Sequence, residues 1–125
     1  MEKLDLKLQQ FKQALAKLID AKNQPKTEFI RDSVIKRFEF CFDLSWKLIK
    51  TCLEVKNGVV CVSPKNCFRE AYANSILSNE TDWLALTELR NQLAHIYREQ
   101  VADEAYDQMD AIILNFQSLV AKIEQ

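Results

Sequence analysis

The sequence predicts an all-α fold, a four- to five-helix antiparallel bundle, and three observations carry that prediction. A chain of 125 residues holds one glycine and two prolines, too few for hairpins, while Leu, Lys, Glu, Gln and Ala dominate its composition. Apolar residues return at steps of three and four through long stretches, the period of a helix buried on one face. The breaks between those stretches carry residues that start and stop helices. By length, residues 1–125 make one domain.

Leu4, Leu8, Phe11, Leu15 and Leu18 predict a first helix over about residues 3–22, ended by Asn23-Gln24-Pro25, because a proline disfavours helical geometry in the residue before it. A second, longer helix follows from about Thr27 to Lys56. Ile30, Val34, Phe38, Phe42, Ser45, Ile49 and Leu53 form its stripe, with Cys41, Leu48 and Cys52 beside it. Phe29, Phe40, Leu44 and Trp46 widen the face beyond one neighbour's reach, so this helix is either central in the bundle or part of a subunit interface. Asn57-Gly58 closes it with residues that tolerate positive φ.

Val59 to Val62 is β-branched but too isolated for a sheet, and reads as an extended connector. Ser63 and Pro64 then supply a helix cap and a first helical residue, with Phe68, Ala71 and Tyr72 as an inward face to about Leu77. Thr81 is the expected cap of a fourth helix through Trp83, Leu86, Leu89, Leu93 and Ile96. The pattern pauses at about residues 99–102. Asp103 is the expected cap of a last helix, apolar at Ala105, Met109, Ile112, Ile113, Phe116, Leu119, Val120 and Ile123.

Seventeen basic residues stand against eighteen acidic, so no global field draws the protein to nucleic acid or to an anionic membrane, and any RNA site must be local. The N-terminus has no apolar signal core, and no run approaches the roughly 18 apolar residues of a membrane span; a cytoplasmic protein is expected. Cys41 and Cys52 fall in the helical pattern as small buried hydrophobes. Cys61 and Cys67 lie six residues apart near a loop and are expected to be reduced. With no Cys-x2-Cys pair and one histidine, neither a structural metal nor a cofactor is expected.

The run Arg90-Asn91-Gln92-Leu93-Ala94-His95-Ile96-Tyr97 gathers groups that handle phosphate. A guanidinium holds a phosphate through paired hydrogen bonds, and an imidazole exchanges a proton near neutral pH. His95 is the candidate base or acid and Arg90 the candidate phosphate clamp, together able to cleave RNA without a metal. Asn91, four positions before His95, shares its face and could orient the imidazole or a phosphate oxygen; Tyr97 could donate a hydrogen bond or accept a modification. Arg90 and His95 are five positions apart, about 140° around an ideal helix. Either the helix loosens before His95, or a symmetric dimer brings two copies of the run together.

Plainer readings stand beside these. His95 could satisfy carbonyls at the helix end, Arg90 could pair with Glu88, and Tyr97 could be a half-buried packing residue. Phe38, Phe40, Phe42 and Trp46 repeat at helical spacing and read as core or dimer interface rather than a base-stacking platform, and Trp83 reads as core. Arg37, Glu39, Asp43 and Lys47 form a charged strip on the second helix, either a salt-bridged face or an extension of the phosphate groove by Arg37 and Lys47.

The spacing Arg90-x4-His95-x-Tyr97, with the segment Arg37-Phe38-Glu39-Phe40-Cys41-Phe42-Asp43-Leu44-Ser45-Trp46-Lys47, resembles the HEPN superfamily in its nucleotidyltransferase substrate-binding, HepT-like toxin branch. The resemblance covers nearly the whole chain. It implies a homodimer whose paired motifs line a groove, gathering Arg90 and Arg98 of both copies, and a minimal nucleotidyltransferase as partner. It further implies an endoribonuclease toxin with catalytic Arg90 and His95, supported by Asn91, Tyr97, Arg37 and Lys47, and inhibited by transfer of AMP to Tyr97. The alternative is a non-catalytic subunit that binds RNA or a nucleotide for a two-protein nucleotidyltransferase whose catalytic half is the partner. A third reading is a purely structural helical dimer. Neither a membrane nor a specific DNA sequence is an expected partner.

Overall fold

Capping residues and buried stripes divide the chain into six α-helices among the residues described in the computed structural model, 2–95 and 98–125. They are α1 (Lys3–Lys22), α2 (Glu28–Cys52), α3 (Pro64–Ala73), α4 (Glu80–His95), α5 (Glu99–Asp107) and α6 (Met109–Glu124). No strand occurs among the described residues, in keeping with the all-α expectation. The helix count exceeds four to five because the last expected helix begins earlier, at Glu99, and turns at Gln108.

The side chain of Thr27 accepts a hydrogen bond from the Ile30 amide at 3.1 Å and opens α2. At its far end α2 widens into a single π-helical turn, Leu53–Asn57, closed by Gly58 in the left-handed region at φ 65°. Ser63 caps α3 by accepting from Asn66 N–H at 3.3 Å. The Asn66 side chain reaches back to accept from Val62 N–H at 3.0 Å, so two otherwise unpaired amides are satisfied reciprocally. The cap of α4 is Asn79, which accepts from Asp82 N–H at 3.0 Å, rather than Thr81, which lies inside the helix. Asp103 likewise caps nothing; it lies within α5.

α3 ends without glycine. Ser75 adopts φ 63°, Ile76 N–H donates to the Ala71 carbonyl at 2.8 Å and Ser75 N–H to that of Tyr72 at 3.1 Å, the pairing of a Schellman stop. The helix therefore finishes at Ala73 instead of running to Leu77, and Tyr72 is exposed rather than inward.

α2 is the central element, in contact with α1, α3, α4 and α5. Lys12 pairs with Glu124 at 2.8 Å and Lys22 with Asp110 at 3.4 Å, which sets α1 antiparallel to α6. The core is strung on aromatic rings. Phe116 of α6 meets Phe11 of α1 at 5.5 Å, Trp83 of α4 at 5.7 Å and Phe38 of α2 at 6.4 Å between centroids. Phe68 of α3 meets Trp83 at 5.0 Å and Phe42 at 5.9 Å. Offset and edge-on contacts of this kind add about 0.5–1.5 kcal/mol each beyond the area they bury.

Cys61 and Cys67 form a disulfide, with Cα atoms 5.1 Å apart, where the sequence led us to expect free thiols. The Ser63-Pro64 cap turns the extended connector back over the first turn of α3, so that both cysteines lie in the interior. Cys41 and Cys52 are free and buried; burial pushes the Cys41 thiol up to about 12, against a smaller opposing pull from Arg37.

Gly58→Ala, whose added Cβ would meet nothing within 4 Å, should cost about 1 kcal/mol through left-handed backbone strain alone, while Ser75→Gly should leave stability unchanged or raise it by up to about 1 kcal/mol. Urea melts of the two variants check both signs. Reduction of the disulfide, which links cysteines at a sequence separation of 6, should lower stability by about 2 kcal/mol, measured by the same melts with and without dithiothreitol.

Candidate functional site

α4 carries Trp83, Leu86, Leu89 and Leu93 into the core and thereby fixes the direction of everything between them. Arg90 is half-buried, and its guanidinium lies 5.6 Å from the centroid of the Phe42 ring. A cation over a ring face is held without consuming its hydrogen-bond donors. Glu88 pairs with Lys65 of α3 instead of Arg90, and among the described residues no carboxylate forms an ion pair with Arg90.

Asn91 is half-buried and His95, the last residue of α4, is exposed. The helix is regular through His95, so the loosening considered from the sequence does not occur. Arg90 and His95 keep the roughly 140° separation of an ideal helix and do not converge within one chain. Tyr97 lies outside the described residues.

Arg37 and Lys47 are each five positions from Phe42, hence about 140° from it around α2. The structure does not bring them to Arg90. Arg37 lines a groove of about 410 Å³ between α1 and α2 together with Gln10, Gln13, Lys17, Phe40 and Leu44. Lys47 is held by Asp43 at 2.9 Å, which also accepts from Trp46 Nε1 at 3.3 Å, so the charged strip is in part a salt-bridged face. Phe29 and Phe40 are exposed, so part of the widened apolar face of α2 meets solvent in the single chain.

One arginine absent from the sequence reading is the most enclosed charge of the region. Arg31 is 4% exposed. Its guanidinium donates to Glu99 at 2.6 Å, to Asp103 at 3.3 Å and to Asp32 at 3.0 and 3.1 Å, and Lys26 joins Asp103 at 3.3 Å. The hydrogen bond from Arg31, followed by that from Lys26, holds the Asp103 carboxyl below its ordinary range. A signal was present: Arg31 stands four positions before Ile35, three before Val34 and seven before Phe38, on the buried side of α2 where an apolar residue would be expected.

Residues 6–125 match the family model for nucleotidyltransferase substrate-binding-protein-like chains. The chain belongs to this family. It is 26% identical over 95 residues to a Haemophilus influenzae protein described as a probable ribonuclease HepT, an alignment covering 73% of this chain and 65% of that relative's length. A crystal structure of a Thermus thermophilus protein superposes with a TM-score of 0.87 at 24% identity, over 92% of this chain and 99% of the other. A Haemophilus influenzae structure described as the fold of a substrate-binding domain of a nucleotidyltransferase gives a TM-score of 0.67 at 22% identity, over 98% and 97% of the two chains. These likenesses support the HepT-like branch that the motif suggested and establish the shared fold.

In this family member, then, α4 presents a guanidinium with no acidic partner among the described residues and, one turn and a half later, an exposed imidazole. Such groups can neutralise a phosphate and move a proton. Among the described residues, no helix is long and apolar enough to cross a membrane.

The Asp103 carboxyl, held below its ordinary value of 3.8, contributes stability that is fully present above that value and is lost as pH falls through the lower, folded-state value. Acid titration of unfolding should therefore show a loss below about pH 3.8 that is reduced in Asp103→Asn, measured by thermal melts from pH 6 downward.

Proposed function

We propose that this protein is the toxin of a two-protein system: a metal-independent HEPN-type endoribonuclease that acts as a homodimer and is silenced by a minimal nucleotidyltransferase, which transfers AMP from ATP to Tyr97. The observation that carries this reading is the Arg90-x4-His95-x-Tyr97 set, whose Arg90 and His95 lie on α4, with Arg90 left without an acidic partner among the described residues and His95 exposed. The relative described as a probable ribonuclease supports it.

The chemistry is a transesterification. The ribose 2′-oxygen loses its proton to a base and bonds to phosphorus. The bond from phosphorus to the 5′-oxygen breaks, and that oxygen takes a proton from an acid, leaving a 2′,3′-cyclic phosphate and a 5′-hydroxyl. With Arg90 and His95 diverging on one helix, two copies of α4 across a twofold axis would supply what one cannot: two imidazoles, one as base and one as acid, and two guanidinia on the pentacoordinate phosphate. Asn91 shares the face of His95 and would orient its ring. Arg37 and Lys47, remote from Arg90 within a chain, would contribute only where RNA extends along α2. AMP on Tyr97 would add negative charge and bulk beside the same groove and repel RNA phosphates.

A second reading is favoured by the family description itself: the dimer is the non-catalytic substrate- or nucleotide-binding subunit of a two-protein nucleotidyltransferase. Arg90 would then grip a phosphate that His95 does not cut.

Induced expression decides between them. Wild type alone should arrest growth, and His95→Ala or co-expression of a minimal nucleotidyltransferase partner should restore growth. Purified His95→Ala should cleave RNA about 10²–10⁴-fold more slowly. Tyr97→Phe should still cleave but escape neutralisation by the partner. Growth in all cultures, with no cleavage by the purified wild type, would reject the toxin in favour of the binding subunit.

A further inference from the structure

Arg31 is held by three carboxylates from two different helices, and two of them, Glu99 and Asp103, belong to the first turns of α5. A buried guanidinium needs such partners, since an uncompensated charge in the interior costs several kcal/mol. The reverse dependence matters more here. The Glu99 and Asp103 side chains are 64% and 50% exposed, so water would serve them nearly as well, and their bonds to Arg31 join the start of α5 to α2.

α5 begins where the motif ends. Arg98 precedes the helix in extended backbone, φ −130° and ψ 138°, and its carbonyl accepts the Ala102 amide at 2.9 Å. Only two residues separate it from His95, and each spans at most roughly 3.3–3.6 Å. The run from Arg90 to His95 thus lies between two anchored segments. Upstream, Leu89 and Leu93 are buried and Arg90 rests on Phe42. Downstream, Arg98, Glu99 and Gln100 are exposed, and the start of α5 is held by Arg31 through Glu99 and Asp103 together with the buried Ala102. Arg31 and Phe42 both lie on α2, eleven residues apart, so one rigid helix sets the distance between them.

We propose that Arg31 is a positioning residue: by seating Glu99 and Asp103 it fixes the start of α5, from Arg98 onward, and so sets the placement of His95, without itself touching RNA. The proposal rests on the reading of the motif given under Proposed function, and it adds to that reading a residue outside the motif and 59 positions before Arg90. The bidentate, branched reach is specific to a guanidinium. A lysine ammonium is a single point and cannot bridge Asp32, Glu99 and Asp103 together.

The test uses the full chain in three forms beside wild type: Arg31→Met, which keeps a long side chain in a buried position; Arg31→Lys; and the double variant Glu99→Gln/Asp103→Asn, whose changed side chains are half-exposed and which serves should Arg31→Met fail to fold. Hydrogen exchange and RNA cleavage are both measured. Arg31→Met and the double variant should speed exchange of the α5 amides by at least about tenfold while α1 and α3 keep wild-type protection. They should also lower kcat by about tenfold or more with KM changed less than about twofold, because misplacement of a proton-transfer group is felt in the transition state and not in phosphate binding. Arg31→Lys should lie between these and wild type in both measurements.

Wild-type exchange in α5 in both Arg31→Met and the double variant overturns the proposal, as does loosened α5 with undiminished kcat. Loss of protection spread evenly over all helices overturns it too, because Arg31 would then support the fold at large. If wild type cleaves no RNA, the ribonuclease reading falls by that result alone, and exchange together with the affinity for a single-stranded oligonucleotide still decides whether Arg31 places the motif: unaltered exchange and affinity reject it.

Discussion

Six aromatic rings in mutual contact hold this bundle together, and every other feature is referred to them. Phe11, Phe38, Phe42, Phe68, Trp83 and Phe116 come from α1, α2, α3, α4 and α6, and each ring touches at least one other. Rings are stiff and have few rotamers, so the chain of contacts fixes helix positions and rotations more tightly than a core of aliphatic side chains would. Phe42 carries that order to the surface: one edge packs on Phe68 inside the bundle and Arg90 lies over the ring. The direction of the candidate site is therefore a property of the core.

Two arginines on neighbouring elements show how a nearly neutral chain deploys charge. Arg31 is enclosed and bonded to Asp32, Glu99 and Asp103, which joins α2 to α5. Arg90 is half-buried against a ring and has no ion-pair partner among the described residues. The difference comes from geometry. Arg31 sits where α5 brings carboxylates within reach, and the nearest acid along α4 from Arg90, Glu88, is taken by Lys65. No other ionised group in the described structure combines partial burial with this freedom and a place in the motif.

Much of the fold could be read from the chain because the cues were local. The stripes of α1 and α2, the Thr27 and Ser63 caps and the Gly58 stop depend on residues three or four positions apart, and the structure follows them. The missed boundaries share a cause. Thr81 and Asp103 are the residue types that cap helices, but Asn79 was two positions better placed for Asp82, and Asp103 was claimed by Arg31 and Lys26 from elsewhere in the chain. Ser75 stopped α3 without a glycine to announce it. The disulfide arose because the cap at Ser63 folds the connector back on α3, a fact of three-dimensional path that spacing alone does not reveal.

The sequence by itself determined the helical class, the family and the run of candidate residues from Arg90 to Tyr97, because periodicity and motif identity are written in consecutive positions, while the central place of α2, left open beside a subunit interface, came from the packing. Only the tertiary structure decided that α4 stays regular to His95, that Arg90 is placed by Phe42, that Arg37 faces α1 instead of joining the motif, and that Arg31 ties α2 to the start of α5. The physical reason is that each of these depends on which face of one helix meets which face of another. That choice is made by packing the whole core at once, and residues 68 positions apart, as Arg31 and Glu99 are, become partners only after it is made.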